Sequence, residues 1–429
     1  MIGRLRELPS GVWALGLVSL FMDISSEMIH ALLPVFLVAV LGTSATLVGV
    51  IEGLGEALAL VTRLFSGVLS DRLRRRRPLV LAGYLLGTLS KPLFALAGSA
   101  AMVLGARSLD RLGKGIRGAP RDALIADLVA PGMRGAAFGL RQSLDSFGAV
   151  LGPLLALALM ALTQDDYRAV FWYAFLPGIV SVLLIVFLVR EPPHPPADGA
   201  RAPGSGWRLR DAAQLGRAYW GVLALGVVFT LARFSEAFIL LRAEQLGTAP
   251  AFVPLMLVIL SLTYALGAYP AGHLSDRIGR ARLLLPGVLV LVAADIVLAA
   301  AGDPWTVGVG AALWGIHMAL TQGLFAALIV DTSPAHLRGT AFGVFGLASG
   351  LAILCASILA GLLWDRIGAP STFLAGAAFA LLAGAGSLIL WRMRGGREAG
   401  EDIAASIADR SSCVNGDRFV NLSPCLMGR

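Results

Sequence analysis

Gly67-Val68-Leu69-Ser70-Asp71-Arg72 returns later in the chain as Gly272-His273-Leu274-Ser275-Asp276-Arg277. A second, unrelated phrase returns at nearly the same spacing, about 205 residues. Asp127, Arg134-Gly135 and Ala137-Phe138-Gly139 reappear as Asp331, Arg338-Gly339 and Ala341-Phe342-Gly343. Two phrases repeated at one spacing divide the chain into two like halves. The residues between them are apolar. Hydrophobic residues make up 57% of the chain and charged residues 14%, against about 25% charged in soluble domains. Apolar runs of about 20 residues recur end to end, each long enough to cross the hydrocarbon core as a helix. A duplicated, polytopic membrane chain is first of all a transporter pattern.

About twelve spans are expected, near 12–38, 46–70, 79–99, 101–127, 136–162, 168–189, 218–241, 251–272, 283–301, 306–330, 339–362 and 371–392. An even number puts both termini on one side. The net charge of +8 is concentrated in short loops. Arg72, Arg74, Arg75, Arg76 and Arg77 follow the second span, and Arg134, Arg277, Arg280, Arg282 and Arg338 follow other even spans. By the positive-inside rule these loops and both termini are cytoplasmic. The basic balance is therefore a topology signal, and no nucleic-acid partner is expected. The expected location is a multi-pass protein of a bacterial inner membrane or a membrane derived from it. Residues 1–190 and 218–395 form the two expected bundles. A Pro/Gly-rich linker at 191–217 joins them, and 396–429 reads as a mobile cytoplasmic tail. Cys355, Cys413 and Cys425 have no metal or disulfide spacing. The first run contains Asp23 and Glu27 and no cleavage site, so it reads as a retained helix.

Gly67-x-x-x-Asp71-Arg72-x-x-Arg75-Arg76 resembles motif A of the major facilitator superfamily and sits in the same loop. Arg111-x-x-Lys114-Gly115 is similar to motif B of the fourth span, with Lys where Gln is usual. Gly148-Ala149-Val150-Leu151-Gly152-Pro153 resembles motif C of the antiporter branches, a helix-bend pattern, without its closing glycines. The resemblance covers roughly residues 10 to 395. It implies an all-α fold of two six-helix bundles, a substrate cavity between them and alternating access. It also implies a cytoplasmic gate, with Gly67, Asp71, Arg72, Asp127 and Arg134 in one half. Gly272, Asp276, Arg277, Asp331 and Arg338 are the counterpart in the other.

The halves differ inside the membrane. The fourth span carries Asp110, Arg111, Lys114, Arg117, Arg121 and Asp122, where its repeat has Trp314, Gly315, Met318, Thr321, Phe325 and Ala326. Charge in a membrane helix costs about 2.5–3.5 kcal/mol per residue on insertion scales, so these six need partners or a wet cavity. Asp110, Lys114, Arg117 and Arg121 fall on one helical stripe. Asp23, Glu27, His30 and Pro34 make a matching stripe in the first span, and Glu52 and Glu56 stack in the second. Arg63, Lys91, Arg107, Arg141 and Asp145 add to this half. The second half has far less, namely Arg233, Glu236, Asp295, His317 and Gln322.

A carboxylate in such a cavity can carry a proton, and a neighbouring Arg competes with that proton. Asp23, Glu27 and Arg111 are the expected coupling set, with His30 as a relay. Arg141 and Asp145 read rather as a structural pair. Phe234, Phe238, Tyr264, Trp314 and Phe325 are candidates for an apolar wall. The expected function is proton-coupled efflux of a small solute by a monomer in the lipid bilayer, with the proton gradient as energy source and no cofactor. The open alternatives are a carrier for a transition metal such as iron or for an anionic metabolite, and a transport-dead receptor or scaffold. No P-loop, nucleophile motif or His-Glu-x-x-His pattern is present, so no enzyme is expected.

Overall fold

In the computed structural model of the 429-residue chain, residues 7–73, 75–191, 209–278 and 280–388 are described. Only the backbone is described at 209–211, 275–278, 280–282 and 335. The expected linker, apart from its ends, and the expected tail lie outside these residues. Residues through Gly384 form one compact unit. Of a second unit, from Ala385, the described part is helix through Leu388.

Among the described residues the chain is all-helical, and its twelve spans match those expected. In the first half they are α1 (Ser10–Val40), α2 (Ala45–Leu73), α3 (Arg77–Leu96), α4 (Ala100–Leu128), α5 (Arg134–Leu162) and α6 (Tyr167–Leu188). In the second half α7 is split into Arg217–Leu231 and Ala237–Gln245. Next come α8 (Leu255–Ile278), α9 (Arg280–Ala300) and α10, split into Pro304–Thr321 and Leu324–Thr332. The last two are α11 (Arg338–Arg366) and α12 (Ala369–Leu388). Ten of the twelve are long and apolar enough to cross a membrane unaided. The other two are α4, crowded with charge, and α7, which is broken.

The two breaks were not expected. Gly323 adopts the left-handed conformation (φ 72°) that a non-Gly residue avoids, and it ends the first piece of α10 after Gln322. Residues 232–236 are non-helical, and the charged Arg233 and Glu236 lie within this gap in α7. Irregular backbone at membrane depth persists where it is buried in protein or lines a cavity. Elsewhere the helices start as their sequences dictate. Ser99 caps α4, and the Asp166 carboxylate accepts the Arg168 and Ala169 N–H groups at the start of α6. Asp303 does the same for α10, and the Thr306 N–H and hydroxyl bonds hold its carboxyl below the usual carboxylate range.

In the first half, α1 packs on α5 and α6, α3 on α4 and α6, and α2 on α4. In the second, α8 and α9 pack on α10, and α7 on α11. The halves meet where α2 crosses α11 and where α5 meets α8. The face carrying Arg75 to Arg77 is called the basic face below.

On the opposite face the α2–α11 contact is backbone to backbone. A β-carbon on Gly49 would lie 2.0 Å from the Ser357 carbonyl oxygen, and one on Gly361 2.5 Å from the Ala45 carbonyl oxygen. Asp365 of α11 closes the same crossing. Its carboxylate accepts the Ala45 N–H (3.1 Å), the Thr46 N–H (2.8 Å) and the Thr46 hydroxyl (2.5 Å) at the start of α2. An anion there satisfies orphan donors and meets the positive end of the helix dipole. Asp365→Ala removes this cap, at a cost of about 0.5–2 kcal/mol. Val48, fully buried one turn below, is the reporter: thiol labelling of Val48→Cys is expected to rise several-fold in the Asp365→Ala background.

Candidate functional site

The acidic stripe of α1 meets the motif-C glycines of α5. A β-carbon on Gly148 would lie 2.9 Å from the Leu20 carbonyl oxygen and 3.0 Å from the Asp23 β-carbon. One on Gly152 would lie 2.6 Å from the Glu27 β-carbon. Both glycines therefore let α5 close onto the turns of α1 that carry Asp23 and Glu27. Pro153, inside α5, is buried beside them. Gly152→Ala is expected to displace Glu27 and reduce transport, with the helix itself unharmed because Ala is the better helix former; flux beside a helix-content measurement checks this.

The charges of α1, α2 and α4 are answered pair by pair. His30 sits between two carboxylates, with Nδ1 3.3 Å from Glu27 and Nε2 3.8 Å from Glu52. Arg107 binds the same Glu52 oxygen, and both side chains are almost fully buried. Arg111 pairs with Glu56 at 3.0 Å; the expected coupling partners of Arg111, Asp23 and Glu27, are not among its ion pairs. Asp110 turns away to Lys91 at 2.7 Å, and Lys91 also bonds the Ser26 hydroxyl. Arg117 stacks over the Tyr84 ring at 4.7 Å. Arg121 bonds Ser19 and Asp122, and Asp122 also meets Arg63 at 3.1 Å. Arg141 pairs with Asp145 at 2.6 Å on one helix face. Asp23 has no ion pair among the described residues and does not line the cavity described next.

A cavity of about 550 Å³ lies between the halves. The first half contributes Glu27, His30, Glu52, Glu56, Arg111 and Lys114. The second contributes Phe229, Phe234, Tyr264, Trp314, Phe325 and Phe345, with Arg233 and Glu236 from the α7 break. One wall is ionic and the other aromatic. Of the expected apolar wall, Phe234, Tyr264, Trp314 and Phe325 line it, while Phe238 packs behind against Phe234 and Trp364. Phe229 and Phe345 were not anticipated. Both pack against Phe325, with ring centroids 5.0 and 5.8 Å away. The volume is typical of small-molecule sites, about 300–1,000 Å³.

The residues expected to form a gate lie at the basic face. Asp127 pairs with Arg76 at 3.0 Å, and Arg76 donates its backbone N–H to Glu191. Asp71, Arg72, Arg134, Asp331 and Arg338 are exposed, and no ion pair joins them among the described residues. Gly67 packs against Ala119 of α4, and Gly272 meets nothing within 4 Å. The side chains of Asp276 and Arg277 lie outside the described residues.

Two bundles of membrane-spanning helices around a central, ligand-sized cavity are the arrangement of a membrane transporter. The family model described as Major Facilitator Superfamily matches residues 15–241 and 222–422. An uncharacterized MFS-type transporter of Methanocaldococcus jannaschii is 33% identical over 385 residues, covering 88% of this chain and 94% of that protein. A probable 4-methylmuconolactone transporter of Cupriavidus pinatubonensis is 30% identical, covering 77% and 76%. A bacterial homologue of the human lysosomal transporter Spinster, solved inward-facing and unoccupied, superposes with a TM-score of 0.70. It is 15% identical and covers 89% of this chain and 96% of that one. The chain belongs to the Major Facilitator Superfamily.

Proposed function

We propose that this transporter exports a small solute in exchange for protons, with the cavity as the transport site and the Glu27–His30–Glu52 group as the proton-handling element. One observation carries the reading: His30 presents one ring nitrogen to each of two carboxylates, and all three residues line the cavity. Imidazole takes up a proton on one nitrogen and releases it from the other, which suits a relay between carboxylates. Ionisable groups inside a membrane mark proton and substrate pathways. Arg107 and Arg111 hold Glu52 and Glu56 in place through ion pairs. The loop charge supports a cytoplasmic basic face and cytoplasmic termini, in a bacterial inner membrane. No cofactor is invoked beyond the proton gradient. Both walls of the cavity come from one chain, which supports a monomer as the working unit.

A metal cargo has less support. Among the described residues no group of three or more His, Cys, Asp or Glu is placed to hold a metal ion; the carboxylates turn to cations instead. A scaffold role has no use for the buried ion pairs of the first half.

Proteoliposomes with an internal pH dye test the reading on a panel of small solutes. Glu27→Gln and His30→Gln are each expected to lower solute-dependent proton movement at least ten-fold, while solute–solute exchange continues. Proton movement unchanged in both variants would remove the assignment.

A further inference from the structure

The ionic groups of the cavity are not all paired. Glu27 is answered by His30, Glu52 by Arg107 and Glu56 by Arg111. Lys114 and Arg233 are not answered: among the described residues no carboxylate oxygen lies within 4 Å of either. Lys114 is exposed to the cavity. Arg233 has its guanidinium 5.8 Å from the Phe229 ring centre, and its Nε is buried with no acceptor. Glu236, at the far end of the α7 break, is the one lining carboxylate without an ion pair among the described residues. Two cations and one carboxylate of the lining thus have no ion-pair partner within 4 Å among the described residues.

Their placement matters as much as their number. Lys114 belongs to α4 of the first half and Arg233 to the α7 break of the second. Two like charges facing one low-dielectric space repel, and an anion between them converts that repulsion into two attractions. Arg suits this role because its planar donors match a carboxylate. The aromatic wall sets the rest of the ligand. Phe234, Tyr264, Trp314 and Phe325 offer ring faces and edges for stacking. Trp314 is almost fully buried, and its indole N–H has no acceptor among the described residues. A ligand oxygen would satisfy it.

Resting on the reading of this cavity as the transport site, we propose that its cargo is a cyclic or aromatic organic carboxylate. The carboxylate lies between Lys114 and Arg233, and the ring lies on the aromatic wall. Such a ligand touches both halves through its charge, so it favours the arrangement in which α4 and the α7 break approach one another.

The test is equilibrium binding to the full chain in lipid nanodiscs, followed by quenching of tryptophan fluorescence. Three probes share one ring system: 2-naphthoate, its neutral amide, and 2-naphthylmethylammonium. The carboxylate is expected to bind at least ten-fold more tightly than the amide, and the ammonium more weakly still. Lys114→Gln and Arg233→Gln should each weaken naphthoate binding at least ten-fold, and Lys114→Arg should restore most of it. The salt dependence of binding should flatten in both Gln variants. Equal binding of amide and carboxylate would overturn the proposal, as would unchanged naphthoate affinity in both Gln variants or no naphthoate binding up to millimolar concentration. The transport reading fails separately. Binding with this charge dependence but without proton movement would leave the anion site standing and remove the coupling. Proton-coupled flux of cations alone would do the reverse.

Discussion

Glu52→Gln is expected to lower the thermal stability of the purified transporter by several degrees. Glu52 and Arg107 are 1% and 2% exposed, and each is the other's main partner. Removing one member of a buried pair strands the other charge, at a cost of about 3–5 kcal/mol. The amide keeps the shape and loses the charge, so the loss is electrostatic rather than a cavity effect. His30, 3.8 Å away, loses its second carboxylate at the same time. The double replacement Glu52→Leu with Arg107→Met is the informative companion, because a well-packed apolar pair is often as stable as the ion pair. It should recover most of the melting temperature and none of the proton movement. A melting curve for Glu52→Gln that overlays the parent would show that the pair does not hold the first half together.

Gly49→Ala is the second large effect. The added carbon would meet the Ser357 carbonyl oxygen at 2.0 Å, and that atom is backbone. The clash cannot be relieved by a rotamer change, so α2 and α11 must separate. Overpacking costs about 1–3 kcal/mol, equivalent to a 5- to 150-fold shift between two states. The opposite face should therefore stay open, with faster labelling of Val48→Cys and transport reduced at least ten-fold. Gly350→Ala is the control on the same crossing. Its β-carbon would meet Ala57 at an ordinary 3.7 Å, so labelling and transport should match the parent. Equal effects from the two substitutions would mean that the glycines do not set the approach of these helices.

The spans were readable because hydrocarbon thickness imposes a length on every apolar run. The repeat was readable because both halves keep the same loop phrases. The breaks in α7 and α10 were hidden, since Gly is common in intact membrane helices and a single Gly323 does not announce a left-handed turn. The pair Arg233 and Glu236 was the better signal, being charge in the middle of the otherwise apolar stretch from Ala218 to Leu241. The α4 stripe shows a different limit. Asp110, Lys114, Arg117 and Arg121 do share a face, yet they meet Lys91, the cavity, Tyr84 and Ser19 respectively. Helical spacing gives direction, whereas the partner depends on which neighbour stands at each depth. For the same reason Arg111, one residue beyond Asp110, turns to Glu56 on α2 rather than to the α1 acids. The motif-C glycines were recognised as a pattern, but their contact with Asp23 and Glu27 needed the packing of α5 on α1.

Alternating access requires that one cavity be reached from each face in turn, with the α2–α11 crossing as the closure on the face opposite the basic one. Ser261→Cys, in the cavity wall on α8, reports access in a background without native cysteines. Thr46→Cys with Asp365→Cys supplies a disulfide across the crossing, where the native side chains already touch. Labelling is measured with a membrane-impermeant thiol reagent on intact cells and on inverted vesicles. Without the disulfide, Ser261→Cys should be labelled in both. With it, labelling should persist in inverted vesicles and disappear in cells. Undiminished labelling in cells after the disulfide has formed would contradict alternating access through this cavity.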